Sequence, residues 1–304
     1  MTFRSHLIYR HTDAGKFLTW EDVQARAPAV FGECAAEGVS KRYEYLNSKG
    51  ILDLFADNNL YPVFARQVEA KDKALTTFKE HVVAFRPANQ DVRADALPEV
   101  IYYNGHDGKS SVRLYAGLYR FICSNESVLG DGWHSRAYHI RNHVTGVEDL
   151  IRDILSRLDD IPALIERYRG VKVDHETAFR IARGALELRW PGRADEKNPR
   201  TGKAVGDTSY WQTLGARLFD VRREADLGWD GWTVYNRVQE SIVRGRGLYL
   251  PKWDKLGSLQ TKRVRPLNSI KEGLRVNRGL FDLFERELFG VAPKVEVFDA
   301  EFIE

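Results

Sequence analysis

The hydrophobic period of this chain changes from strand-like to helical close to residue 143, and that switch limits the folds open to it. Before the switch, Tyr61–Ala70, Lys79–Arg86, Glu99–Tyr103, Ser111–Tyr115 and Trp133–Arg141 alternate and are rich in β-branched and aromatic residues, the pattern of half-buried strands. Asn104-Gly105-His106-Asp107-Gly108 interrupts them with dense turn chemistry, which predicts a hairpin. Beyond the switch, Val147, Leu150, Ile151, Ile154, Leu155 and Leu158 fall at helical spacing behind a Thr145/Glu148 capping box. Pro162 restarts that helix and Asp174 opens the next. Two more helices are predicted near Trp232–Val243 and Ser269–Leu288. Pro191–Thr208 reads as a polar loop, and Leu248–Pro266 as an extended basic loop without a clear period. In the first sixty residues, Thr19 with Asp22, and then Asn47 or Ser48, mark two short helix starts.

Strands first and helices later argue for an α+β fold: a mostly antiparallel sheet with a β-hairpin in the N-terminal half, and a helical C-terminal half. The same order argues against a doubly wound nucleotide-binding fold. Three regions are expected: 1–143 as a β-rich α+β core, 144–243 as a helical region packing on it, and 244–304 as a basic loop, a helix and an acidic tail. The apolar fraction of 43% is enough for a sizeable core. No window of eighteen apolar residues occurs, and the first residues lack a secretory apolar region. Two cysteines, Cys34 and Cys123, are too few for a disulfide framework or a cysteine zinc cluster. A cytoplasmic protein away from membranes is the expectation.

The net charge of +3 hides an uneven distribution. Arg244, Arg246, Lys252, Lys255, Lys262, Arg263, Arg265, Lys271, Arg275 and Arg278 are opposed only by Asp254 and Glu272. The last 26 residues reverse the sign, with seven acidic residues against two basic ones. A basic stretch that also holds Tyr249 and Trp253 suits a polyanion, because the cations displace counterions from phosphates and the rings stack on unpaired bases. The plainer reading is a solvated surface. Tyr115, Tyr119 and Phe121 interleave with Arg113 and Arg120, which can extend such a groove or simply rim a sheet core. The tail from Val295 to Glu304 alternates acidic and apolar residues, as a docking segment or an edge strand would.

Catalytic patterns are sparse. Gly108-Lys109-Ser110 lacks the earlier glycine of a phosphate loop, since Tyr103 occupies that place. Asp53, Asp57, Glu69 and Lys71 can serve a Mg²⁺-dependent nuclease only if folding gathers them. His134, His139 and His143 have no carboxylate at ligand spacing. No metal site, cofactor or catalytic residue is assigned.

Ala29 to Glu33, Ser40 to Tyr45, Asn104 to Ser111 and Gly117 to Asn125 resemble the phage and plasmid proteins catalogued as domain of unknown function 932. In the second half, Arg222-Arg223, Asp226, Gly228, Trp232, Tyr235, Gln239, Glu240, Arg265, Asn268-Ser269-Ile270 and Asn277-Arg278 follow in the same order. Gly105 stands where the family turn has serine, and Glu126 where it has glycine. The resemblance implies a mobile genetic element and work in replication, recombination or defence. It implies no catalytic residues, and leaves Asn104, His106, Asp107, Lys109 and Asn268 as motif residues of unknown role.

The expectation is therefore a non-enzymatic nucleic-acid-binding protein that favours single-stranded DNA, binding or annealing it with some self-association. Lys252, Lys255, Lys262, Arg263 and Arg265 would meet phosphates, with Arg244 and Arg246 beside them. Tyr249 and Trp253 would stack. The alternatives are a protein-interaction module acting against host defence, and the Mg²⁺-dependent nuclease.

Overall fold

A computed structural model describes residues 17–41, 43, 45–88, 96–108, 110–120, 125–128, 134–137 and 146–291. Lys109, His139, His143, Thr145 and the tail from Val295 lie outside the described residues. Those described gather into two compact units. The first draws on the described residues within 1–128, 133–166 and 266–274, the second on those within 167–265 and 275–304.

The first unit is a six-stranded antiparallel sheet with helices packed on it, as an α+β fold requires. Its strands are β1 (Leu60–Gln67), β2 (His81–Pro87), β3 (Leu97–Asn104), β4 (Val112–Arg120), β5 (Asn125–Val128) and β6 (His134–Ala137). They run in the order β1-β2-β3-β4-β5, with β6 also paired to β4. The 104–108 turn joins β3 to β4 in the hairpin its residues predict, with Tyr103 opposite Arg113. Helix α1 (Trp20–Arg26) carries the complete Thr19/Asp22 capping box. Helix α2 (Ser48–Asp57) is capped by Asn47, whose side chain accepts from the Lys49 N–H, and buries Ile51, Leu52 and Phe55. Phe55 stacks on Phe85 with ring centroids 4.5 Å apart; burying each ring contributes about 1.5–3 kcal/mol. Helix α3 (Gly146–Leu158) sinks Ile151 and Ile154. Helix α4 (Ile161–Arg169) restarts the chain at Pro162, where a missing N–H costs nothing. A second buried layer holds Val82, Ala84, Ile101, Tyr103, Tyr115, Ile270 and Leu274.

The second unit is mostly helical: α5 (His175–Arg189), α6 (Ser209–Ala216), α7 (Gly231–Arg244) and most of α8 (Ile270–Phe289). Helix α7 is buried almost all round. Tyr235 meets Phe284 edge-on at 5.1 Å, and Tyr168 lies 6.1 Å from Phe281. Several polar side chains of α7 find partners inside this unit. Arg223 gives both Glu240 oxygens hydrogen bonds of 2.7 Å and Asp226 one of 2.6 Å. Gln239 donates to Asn277 at 2.8 Å, and Ser241 to the Leu218 carbonyl at 3.1 Å.

The segment expected to be an extended basic loop is instead a β-ribbon, β7 (Tyr249–Trp253) paired with β8 (Leu259–Arg263). Helix α6 is also additional to the expected helices. No helix among the described residues is long and apolar enough to cross a membrane.

Candidate nucleic-acid interface

The ribbon begins where α7 must stop. Gly245 caps that helix with φ +63°, a left-handed conformation that favours glycine. A Cβ there would stand 2.5 Å from the Val264 side chain, so the glycine also lets the two ends of the ribbon close up. Leu248 then accepts from the Val264 N–H at 2.9 Å and starts the ladder. At the far end Asp254 shapes the turn. Its carboxylate accepts from the N–H groups of Ser258 at 2.9 Å and Leu256 at 2.8 Å. Those backbone donors hold it below the usual aspartate range. Gly257 supplies the positive φ that closes the turn.

Strand alternation sorts the predicted residues onto two faces. Tyr249, Pro251 and Trp253 share one face with their partners Arg263, Thr261 and Leu259. Pro251 is buried and Trp253 half-buried, while Tyr249 is 51% exposed. Lys252 shares the other face with Gln260 and Lys262. Strand β8 has β7 as its only partner among the described residues, and Gln260, Thr261, Lys262 and Arg263 are all exposed. Lys255 occupies the exposed tip, and Arg265 stands exposed just past the end of β8. Lys252, Lys255, Lys262, Arg263 and Arg265 have no ion-pair partner among the described residues.

The rest of the basic segment is committed elsewhere. Arg244 is the half-buried last residue of α7. Arg246 lies 3.5 Å from Glu240. Lys271 pairs with Glu80, and Arg275 donates to the Leu188 carbonyl at 2.8 Å. Trp253 is too enclosed to stack as freely as Tyr249. Arg113, in the first unit, donates to Ser111 at 3.0 Å and Tyr115 at 3.4 Å. Arg120 ends β4 opposite Asn125, and its side chain lies outside what is described.

Sequence reading missed three arginines at the ribbon's root. Arg217 donates to the Gly247 carbonyl at 3.1 Å, Arg222 to Arg246 at 3.2 Å and Arg189 to Arg265 at 3.0 Å. A carbonyl partner orients a guanidinium without neutralising it. These residues stand 24 to 76 positions from their partners, so no local pattern joins them.

The turn motif of unknown role leads to a different place. Asn104 and His106 are fully buried with Ser48, His81 and Tyr102. Ser48 Oγ lies 3.0 Å from His81 Nε2, 2.8 Å from the Tyr102 hydroxyl and 3.0 Å from Asn104 Nδ2. His81 Nδ1 is 3.0 Å from the Lys79 carbonyl, which can only accept. In the neutral ring Nδ1 therefore carries the proton, and Nε2 accepts from Ser48. Burial pushes the Tyr102 phenol up, so it stays neutral and can donate. A strap closes over His106: the Ala36 N–H donates to its carbonyl at 2.9 Å, and the Tyr45 ring lies 5.0 Å from its imidazole. Tyr45 donates to Gly32, and Tyr43 to Gly105 at 3.3 Å. The Ser48–His81 contact has the form of an activated serine, but the amide of Asn104 points at Oγ itself rather than beside it. The arrangement ties α2 to the β3–β4 turn. Asp107 is half-buried in that turn, and the exposed Asn268 offers its carbonyl to Arg66 at 2.8 Å. Asp53 pairs with Lys49 at 2.9 Å, and Glu69 and Lys71 are exposed beyond β1. Among the described residues no three His, Cys, Asp or Glu side chains form a group that could hold a metal ion.

Residues 35–279 match the family model described as "Domain of unknown function (DUF932)". The chain belongs to that family. Two Escherichia coli (strain K12) proteins are similar to it. UPF0380 protein YafZ is 27% identical over 269 residues, and UPF0380 protein YfjQ 26% identical over 269. Each alignment covers 88% of this chain and 90% of the relative. No solved structure matches. The DUF932-like stretches around Gly32, Tyr43 and Asn104 converge on the buried serine cluster. Those at Arg223, Asp226, Gln239, Glu240 and Asn277 build the polar frame of α7. Of the ribbon's five cations, Arg265 alone falls in those stretches.

Proposed function

We propose that this protein grips single-stranded nucleic acid, DNA for preference, along the outer edge of the β7–β8 ribbon. It does so without catalysis, as a binding or annealing factor in replication or recombination of a mobile genetic element. In this reading it works in the cytoplasm, and annealing calls for self-association. The observation that carries the reading is the set of five cations without an acidic partner among the described residues: Lys252, Lys255, Lys262, Arg263 and Arg265. Strand β8 is exposed on both faces, so a polymer laid along its edge meets Lys262 on one side and Arg263 on the other. Tyr249 offers a ring for one base. Arg217 and Arg222 add positive charge at the root.

Cations on an edge strand also discourage pairing with another chain. Salt dependence separates the two roles, because each phosphate contact releases counterions. Filter binding of the double variant Lys262→Glu/Arg263→Glu should show weaker retention of all sequences alike. Unchanged retention would defeat the proposal.

A second reading rests on Leu256, 64% exposed at the ribbon tip. An apolar tip between basic strands fits a protein partner, such as a host defence factor. Capture that survives nuclease treatment and is lost in Leu256→Asp would favour it.

A further inference from the structure

The polar loop 191–208 carries a second hairpin that is clipped to the ribbon's tip, and both belong to the second unit. Lys197 bridges to Ala204, Asn198 donates its N–H to the Lys203 carbonyl at 2.8 Å, and Val205 donates to Glu196 at 2.9 Å. The Asn198 side-chain oxygen accepts from the N–H groups of Arg200 at 2.9 Å and Thr201 at 3.1 Å, which folds the turn. Gly202 closes it with φ +70°. The Asn198 amide then reaches out and donates to the Gly257 carbonyl at 2.8 Å. A Cβ on Gly257 would stand 2.9 Å from Asn198 Oδ1 and 3.3 Å from the Arg200 stem, so glycine is what allows the two tips to meet. Asn198 is buried, whereas Lys197, Arg200 and Lys203 are all exposed. Lys197 and Lys203 have no ion-pair partner among the described residues, and Arg200 has none in direct contact, although its charge reaches the Asp254 carboxylate in the ribbon turn. Glu196, the nearest acid in sequence, is taken by Arg193.

We propose that Lys197, Arg200 and Lys203 form a second row of phosphate contacts for the same single strand, held against the ribbon tip by the Asn198–Gly257 clip. The inference rests on the reading given above and extends it. The hairpin brings cations from about fifty residues earlier in the chain to the turn of the ribbon, where Lys255 stands. The bound strand then continues past the tip of the ribbon instead of ending there. Asn198 is a positioning residue, since it acts by placing the side chains on either side of it.

The test is a salt series with an oligothymidylate probe, comparing the full chain with Arg200→Gln/Lys203→Gln. Each single-strand phosphate contact contributes about 0.7 to the slope of log affinity against log salt. The double variant should therefore lose about 1.4 from the steepness of the wild-type slope. A steep wild-type slope that the variant leaves intact would overturn this inference and leave the ribbon reading standing. A flat wild-type slope would overturn both. Acetylation footprinting of the unaltered protein provides a second measurement. Lys197 and Lys203 should be protected severalfold by the oligonucleotide, and equal labelling with and without it would count against the row. Asn198→Ala retains every charge and should still flatten the slope; a lower melting temperature with an unchanged slope would overturn the clip.

Discussion

Tyr249 stands directly opposite Arg263 across the β7–β8 ribbon, so an exposed ring and an exposed guanidinium share one face at the strand ends. That pairing places a stacking surface beside a phosphate-binding group. Stacking of one base on an aromatic side chain contributes about 1–3 kcal/mol. Tyr249→Ala should weaken oligothymidylate binding roughly fivefold to 150-fold, with the salt slope unchanged because no charge is lost. Tyr249→Phe should bind as the wild type does. Fluorescence anisotropy at fixed salt checks both. Equal loss in the two variants would mean that the hydroxyl, not the ring face, makes the contact.

Glu99 couples stability to pH. It lies buried against Arg86, whose Nε donates to it at 3.2 Å. Burial pushes its carboxyl up to about 7, while Arg86 pulls the other way. The folded state therefore holds a proton that the unfolded chain releases near pH 4.5. The stabilisation from Glu99 is complete below that value and is lost as pH rises through about 7. Urea melts of Glu99→Gln should lose this part of the pH dependence between 4.5 and 7. The same fall with pH in wild type and variant would contradict the assignment.

Arg223 is the shared partner of two buried carboxylates, Asp226 and Glu240. Removing one partner of a buried ion pair leaves an uncompensated charge, which costs about 3–5 kcal/mol. Arg223→Ala should lower unfolding stability by that order. A loss below about 1 kcal/mol, the range of exposed pairs, would show that water reaches the site.

Ser48→Ala takes the central oxygen out of the buried cluster. His81 Nε2 then lacks the hydroxyl that donates to it, at a cost of about 1–3 kcal/mol. Denaturant unfolding should show that loss, with oligonucleotide binding retained at 25 °C. Unchanged stability would mean that water replaces the hydroxyl.

The sequence made the first unit readable because its signals are local. Alternation around Val82 and Val100, the Asn104–Gly108 turn, and the caps at Thr19 and Asn47 each act within a few residues. The ribbon was harder to see. Pro251 and four closely spaced cations obscured its alternation, although Asp254 and Gly257 carried the turn signal of a hairpin. Helix α6 spans only eight residues with Gly215 near its end, too short for a clear period. The basic residues were visible as a run, but their division between two faces follows from the register of β7 against β8. Arg189, Arg217 and Arg222 join the ribbon's root only through tertiary hydrogen bonds. Asn104 and His106 stand together in one turn motif, yet Ser48 and His81 come from distant segments, so spacing does not reveal that the four meet.

The most direct measurement is the salt dependence of the wild-type protein on an oligothymidylate probe, by filter binding between low and physiological salt. Five phosphate contacts from the ribbon give a slope of about −3.5 in log affinity against log salt, and the 197–203 hairpin makes it steeper. A slope near zero, or no retention at low salt, would contradict the account.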